Sequence, residues 1–271
     1  PQDVTAQMVL NFLRGGAAIN ALARTAGIEL KVVDAGVLTP LPPSSELIVR
    51  RAAAGTRNFC DPPAMTEGEM HTALETGIEV AEEAAVAGCD LLGSGEMGIG
   101  NTTSASAITA ALTGEPVENV IGRGTGANDE CLARKRFAIE RALALHAGQI
   151  ESPLGILRCL GGLEIAGMCG FCLGAAARRV PVITDGFIAT AAAVLAMRLC
   201  PAVADYVLAS HQSAEPGHTH LLAMLGQQPL LNLGMRLGEG TGAALAITVL
   251  QSAIAAFTQM ATFADAAVSN R

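Results

Sequence analysis

Four short apolar runs, each closed by a polar or glycine turn, constrain this chain more than any other feature. Residues 30–33 run into Asp34-Ala35-Gly36, and residues 89–92 into the glycine-rich stretch 93–100 and a helix-forming segment over 104–112. Residues 180–184 end in Asp185-Gly186 ahead of an alanine-rich segment, and residues 206–209 end in Ser210-His211-Gln212-Ser213. A β-prone run, a polar turn and an alanine-rich helix are the repeating unit of an α/β fold with a parallel sheet, because parallel strands need a long crossover and a helix supplies it. Ligands of such sheets lie beyond the carboxyl ends of the strands. That rule groups Asp34, Glu96, Asp185 and Ser213 around one candidate site.

Helical segments bracket these units. Thr66-Glu67-Gly68-Glu69 fits a capping box that starts a helix running towards Ala87. Residues 1–24 are expected to form one helix, with Val4, Met8, Phe12 and Ile19 among its apolar positions. The proline-rich residues 39–45, continuing to Pro63, read as the longest irregular stretch and as a loop that covers a site. The two longest apolar stretches, 187–200 and 242–257, are interrupted by Arg198 and by Gln251 and Ser252. A bilayer crossing takes about 18 to 20 apolar residues in succession, so both are expected to be buried helices and no membrane partner is expected. No composition shift marks a domain boundary.

Charge and aromatic content narrow the partners. Lys plus Arg number 17 against 25 Asp plus Glu, for a formal net charge of −8, and Trp is absent. Such a chain has neither the cationic surface nor the stacking platforms that nucleic acid requires. A local phosphate site needs only backbone N–H groups and one or two cations, and it stays open. Seven scattered cysteines, an odd number, fit a reducing cytoplasm rather than a disulfide framework.

Gly93, Gly95 and Gly98 satisfy G-x-G-x-x-G between a strand and a helix. The pattern reads either as a tight turn or as a nucleotide site, in which Glu96 would suit ribose hydroxyls. A Walker site is disfavoured because Asn101 stands where its lysine belongs. The pattern G-x-G-T-G occurs twice, at residues 122–126 and 238–242, each ahead of a helix-prone run. Each can offer N–H groups and a Thr hydroxyl, Thr125 or Thr241, to an anion. The first has Arg123 beside it and Lys135 about two turns into the next helix. The second holds Glu239 between two glycines, either as a charge that favours the helix dipole or as a general base with a pKa raised by neighbours such as Leu237. Around Ser210-His211-Gln212-Ser213-Ala214-Glu215-Pro216-Gly217-His218-Thr219-His220, zinc ligation by Glu215, His218 and His220 is disfavoured because the spacing fits no standard ligand set. Cys169 and Cys172 form a C-x-x-C in an apolar stretch and read as packed thiols, and His71 and His146 stand alone.

Several of these segments together resemble one family. Residues 95–103, Gly161-Gly162-Leu163-Glu164-Ile165-Ala166-Gly167, Asp185-Gly186-Phe187-Ile188, residues 210–218 and Gly234-Met235-Arg236-Leu237-Gly238-Glu239-Gly240-Thr241-Gly242 are similar, in this order, to the motifs of nicotinate-nucleotide dimethylbenzimidazole phosphoribosyltransferases. The resemblance extends from Pro1 to the last helix. It implies a Rossmann-like parallel sheet flanked by helices with a small helical part, no cofactor, no metal and a homodimer. On this reading residues 1–271 are a single catalytic domain whose N- and C-terminal helices form the small helical part.

The resemblance also implies an activity. The phosphoribosyl group of nicotinate mononucleotide passes to dimethylbenzimidazole, giving α-ribazole phosphate and nicotinate. Glu239 matches the catalytic base, and Glu96, Gly98, Lys135, Asp185, Gly186 and Ser213 match positions around the ribose phosphate. Leu237 matches part of the base pocket, Gly238 and Gly240 on either side of Glu239 are expected to bind substrate, and Gln7 matches a base-contacting glutamine. Members of the family carry a further N-terminal segment with a strand ending in Gly-Asp-His-Gly. Nothing in the given sequence matches it, so the chain is expected to be numbered from inside a longer protein or to be a fragment. Two other readings stay open: a dinucleotide-dependent oxidoreductase with Glu115 or Glu118 on the ribose, and a nucleotide-sequestering protein without catalysis.

Overall fold

The computed structural model describes residues 1–124 and 126–269. Thr125, one of the two hydroxyls expected to face an anion, lies outside the described residues. The chain opens with α1 (Asp3–Leu13) and α2 (Ala18–Ala26), then β1 (Val32–Asp34), β2 (Leu47–Val49) and α3 (Glu67–Val86). Strand β3 (Leu92–Ser94) leads into α4 (Asn101–Thr113), the single turn α5 (Val117–Val120), α6 (Asp129–Leu145), α7 (Pro153–Leu160) and α8 (Leu163–Ala177). Strand β4 (Val182–Thr184) leads into α9 (Phe187–Leu199), and β5 (Val207–Ala209) into α10 (Gly217–Leu225) and α11 (Thr241–Gln259).

Strands β3, β4 and β5 form a parallel sheet with β4 in the middle, in register through Leu92, Val182 and Val207. Central β4 is buried throughout, as a strand covered by helices on both faces must be. The α/β fold with helix-flanked parallel sheets is thus as expected. All four β-prone runs contain strands, although the one expected at 89–92 lies later, at Leu92–Ser94. A fifth strand was not expected. Leu47-Ile48-Val49, inside the stretch read as loop, pairs in parallel with β1 through Val32 and Leu47.

The expected single helix over residues 1–24 is two helices. Gly15 turns left-handed at φ 75°, and the Asn20 side chain donates to the Phe12 carbonyl at 3.0 Å while accepting from the Ala17 N–H at 3.0 Å. That one amide closes α1 and opens α2. The capping box of α3 is present in both directions, Glu69 N–H to Thr66 Oγ1 at 3.2 Å and Thr66 N–H to Glu69 Oε2 at 2.6 Å.

The core lies where α8 meets α3 and α9. Gly170 of α8 sits against the Leu74 carbonyl of α3, where a Cβ would overlap it, so the two helices touch backbone to backbone. Cys169 and Cys172 are buried in this seam, and burial pushes the Cys172 thiol up to about 12 and the Cys169 thiol well up, which makes them packing groups. Helix α9 is buried as expected. Helix α11 is a correction, because only its first half is buried, against Ile183 and against Phe12, Ala17 and Ile19. Ile254 and Phe257 face outward, Phe257 with 89% exposure. By length and apolarity alone α11 is the one helix among the described residues sufficient to cross a bilayer.

Candidate active site

The turn after β3 and the turn before α11 are joined. The Glu239 N–H donates to the Glu96 carbonyl at 3.0 Å. A Cβ on Gly95 would overlap the Gly240 backbone, so only glycine permits this approach. Glu239 itself has φ 64°, between Gly238 at 80° and Gly240 at 83°. A side chain in this region costs roughly 1–2 kcal/mol, and such strain concentrates at functional turns. The Glu239 carboxylate is half-buried and accepts from the Ile19 N–H at 3.5 Å. Burial raises its pKa, Ile19 and Ala18 N–H groups pull it back, and Asp185 adds to the rise. Leu237 was expected to contribute to that environment, but it is 59% exposed, so the burial comes from other groups.

Asp185 anchors the turn that carries Glu239. Its Oδ2 accepts from Gly240 N–H at 3.0 Å and its Oδ1 from Gly242 N–H at 2.7 Å. The start of α11 is therefore occupied by a buried carboxylate, and its N–H groups are not open to a phosphate as the second G-x-G-T-G pattern suggested. Burial pushes the Asp185 carboxyl up, while His211 and the N–H groups of Gly240, Gly242 and Ala243 pull it back. Gly186 lies against the His211 ring and Ser213, within 3.8 Å of the latter for a Cβ placed there. The Ser213 N–H donates to His218 Nδ1 at 2.9 Å, so the His218 proton sits on Nε2, which faces Thr190 Oγ1 at 3.0 Å. Burial drives the His218 pKa down to about 3, and the ring is neutral.

Glu96 is clasped by the Asn101 side-chain amide and lies close to Gly238. Burial lifts its pKa to about 8, opposed by the Asn101 bond and aided by Glu164, Asp185 and Glu239. Glu164, at the start of α8, is a site residue that sequence reasoning missed, although it lies in a motif carrying the resemblance. Burial raises its pKa too, and its Oε1 would lie 3.5 Å from a Cβ on Gly98. Helix α1 docks on the same turn through Ile99 N–H to Thr5 Oγ1 at 3.1 Å, with Gln7 exposed on that helix. Asp34 does not join the group: its Oδ1 accepts from Gly36 and Val37 N–H at 2.9 and 2.7 Å within its own turn.

A basic half adjoins this acidic one. Lys135 Nζ donates to Thr102 Oγ1 at 3.0 Å and to the Gly122 carbonyl at 3.1 Å. Thr102 follows Asn101 directly, so the groups holding Glu96 and Lys135 are neighbours at the first turn of α4. Gly122, Arg123, Glu215 and Arg236 line an adjoining cavity of about 390 Å³. Arg123 bonds the Ala127 carbonyl at 2.8 Å and Asp129 at 2.5 Å.

The dinucleotide reading does not fit. Helix α4 begins at Asn101, beyond the glycines, and Gly95 is pressed onto Gly240 rather than open to a pyrophosphate. Glu115 lies past the far end of α4, 3.6 Å from His220, and Glu118 pairs with Arg136 at 3.0 Å. Among the described residues no three His, Cys, Asp or Glu side chains gather as metal ligands.

A half-buried carboxylate on a strained turn is fastened to the turn of Glu96, whose partner Asn101 adjoins the Thr102 hydroxyl that holds a lysine, and this is the outline of a group-transfer enzyme for a phosphorylated sugar. The family model described as Phosphoribosyltransferase matches residues 1–268, and the chain belongs to that family of enzymes. It is 54% identical over 271 residues to the nicotinate-nucleotide--dimethylbenzimidazole phosphoribosyltransferase of Chloroflexus aggregans, covering 100% of this chain and 77% of that protein. The enzyme of the same name from Geobacter sulfurreducens is 52% identical over 269 residues, covering 99% of this chain and 76% of its own. The crystal structure of CobT from Thermus thermophilus superposes with a TM-score of 0.95 at 48% identity, covering 100% of this chain and 81% of that one.

Proposed function

We propose that the chain transfers the phosphoribosyl group of nicotinate mononucleotide to dimethylbenzimidazole, with inversion, giving α-ribazole phosphate and nicotinate. The observation that carries the reading is the meeting of acidic and basic halves at Asn101 and Thr102. Lys135, Thr102 and Ser213 suit the phosphate and ribose, with Gly98 and Gly186 leaving room for close approach. The glycosidic C–N bond breaks with its electron pair going to the pyridinium nitrogen, so nicotinate leaves neutral at that atom. Cationic character on the ribosyl carbon develops beside Glu96, Glu164 and Glu239. The acceptor nitrogen attacks from the opposite face, and Glu239 takes the proton from the other ring N–H. Holding both substrates in line can lower the barrier by several kcal/mol, and the activated donor leaves the protein mainly orientation and proton transfer to supply.

Residues 1–271 act on this reading as one catalytic domain in the cytoplasm, with α1, α2 and α11 as its small helical part. The seven free cysteines support that compartment. The chain works as a homodimer, a reading supported by the exposed apolar side chains Ile254, Phe257, Met260 and Phe263 at the end of α11. Incubation with nicotinate mononucleotide and dimethylbenzimidazole, followed by chromatography for nicotinate and α-ribazole phosphate, tests the activity. Both products should form in equal amounts, and absence of turnover in the full-length protein overturns the reading.

A further inference from the structure

Glu215 is 6% exposed, and the reaction described above gives it no task. It sits in the turn before α10 and reaches across to the loop that follows α5. Its Oε1 accepts from the Gly124 N–H at 3.0 Å. Its Oε2 is buried, has no hydrogen-bond partner among the described residues, and lies so close to Gly122 that a Cβ there would overlap it. The carbonyl of that same Gly122 receives the Lys135 ammonium at 3.1 Å. The Glu215 N–H also donates to Ser213 Oγ at 3.3 Å. One residue thus lies against the lysine's own anchor through its buried carboxylate and bonds the serine expected at the ribose through its backbone N–H.

Both hydrogen-bond acceptors of Lys135, Thr102 Oγ1 and the Gly122 carbonyl, are neutral. A half-buried ammonium with only neutral partners loses hydration without a charge to replace it. The titratable groups that act on it are Glu215 and, on its own helix, Cys131, while Arg123 and Arg236 line the adjoining cavity together with Glu215. Burial lowers the Lys135 pKa, and Glu215 is the larger of the two groups that raise it.

We propose that Glu215 is the counter-charge and positioning residue of Lys135: its carboxylate keeps the ammonium charged, and its bond to Gly124 shapes the loop that anchors the lysine. The catalytic consequence rests on Lys135 binding the donor's phosphate. The coupling itself is measurable without turnover.

The sequence has two lysines, Lys31 and Lys135, so lysine-labelled protein gives two side-chain NMR signals, assigned with Lys135→Met. Lys31 is exposed and serves as the internal control. In Glu215→Gln, which keeps an acceptor for Gly124, the Lys135 titration should move down by about one pH unit or more. Glu215→Asp should restore most of it, and Lys31 should stay still. In the active enzyme the alkaline limb of kcat/KM should move down with Lys135. Coincident Lys135 titrations in wild type and Glu215→Gln overturn the proposal.

A second measurement covers a Glu215→Gln protein that does not fold. Lys135→Met leaves the buried Glu215 carboxylate without a cation, whereas Lys135→Arg keeps one. The Tm of Lys135→Met should fall clearly below that of Lys135→Arg, and equal Tm values for the two variants overturn the coupling. A wild-type chain without turnover would overturn the proposed activity while leaving both titration results standing.

Discussion

The backbone N–H of Glu239 donates to the carbonyl of Glu96 at 3.0 Å, so the two carboxylate-bearing turns are fastened by main chain without drawing on either carboxylate. Substitution of either side chain leaves this fastening in place, which separates chemistry from architecture.

Glu239→Gln keeps the shape of the turn and removes the base. Transfer should slow by about 100-fold or more while calorimetric binding of nicotinate mononucleotide is retained. Turnover at the wild-type rate would remove Glu239 from the base role.

Glu239→Gly should yield a protein that is inactive yet more stable. At φ 64° glycine relieves the strain of a side chain, and the half-buried carboxylate disappears with it. The unfolding free energy from urea titration should rise by up to about 1 kcal/mol. A clear loss of stability would show that the glutamate holds the turn together.

Glu96→Gln should change the pH dependence of stability. The folded-state pKa is raised to about 8, well above the ordinary carboxyl value of 4.5, so the folded chain holds a proton that the unfolded chain has released across that window. Wild-type stability from this group falls as pH rises from about 4.5 to about 8 and is level beyond. The Tm advantage of Glu96→Gln over wild type should be larger at pH 8 than at pH 5, and a constant difference contradicts the raised pKa.

Gly95→Ala and Gly68→Ala form a matched pair. The first drives a methyl into the backbone of Gly240 and should cost about 2 kcal/mol or more, with activity lost as α11 shifts. The second has open space within a helix and should be neutral or stabilising by up to about 1 kcal/mol. Similar melts for the two variants would contradict the close approach of the two turns.

Phe257→Asp tests the exposed end of α11. Sedimentation should show a dimer for wild type and a weakened one for the variant, with the monomer still folded. An unchanged dimer would place the interface elsewhere.

Much of this arrangement was legible because parallel strands announce themselves by the turns that end them, as at Asp185-Gly186 and Ser210–Ser213. Strand β2 was not, since Leu47-Ile48-Val49 is too short for a periodic signal and sits behind prolines. The break at Gly15 was hidden by apolar positions that continue on both sides. The role of Asp185 as anchor of Gly240 and Gly242 was out of reach for another reason: the groups are far apart in sequence, and no local pattern couples them. Glu215 and Glu164 were present in recognised motifs, but only burial and partners separate a working carboxylate from a neighbouring one.

The grip of Asp185 on Gly240 and Gly242 also closes a long loop, since the partners are 55 and 57 residues apart in sequence. Anything that detaches the start of α11 leaves Asp185 buried without these N–H donors, so the turn that carries Glu239 and the carboxylate that holds it stand or fall together.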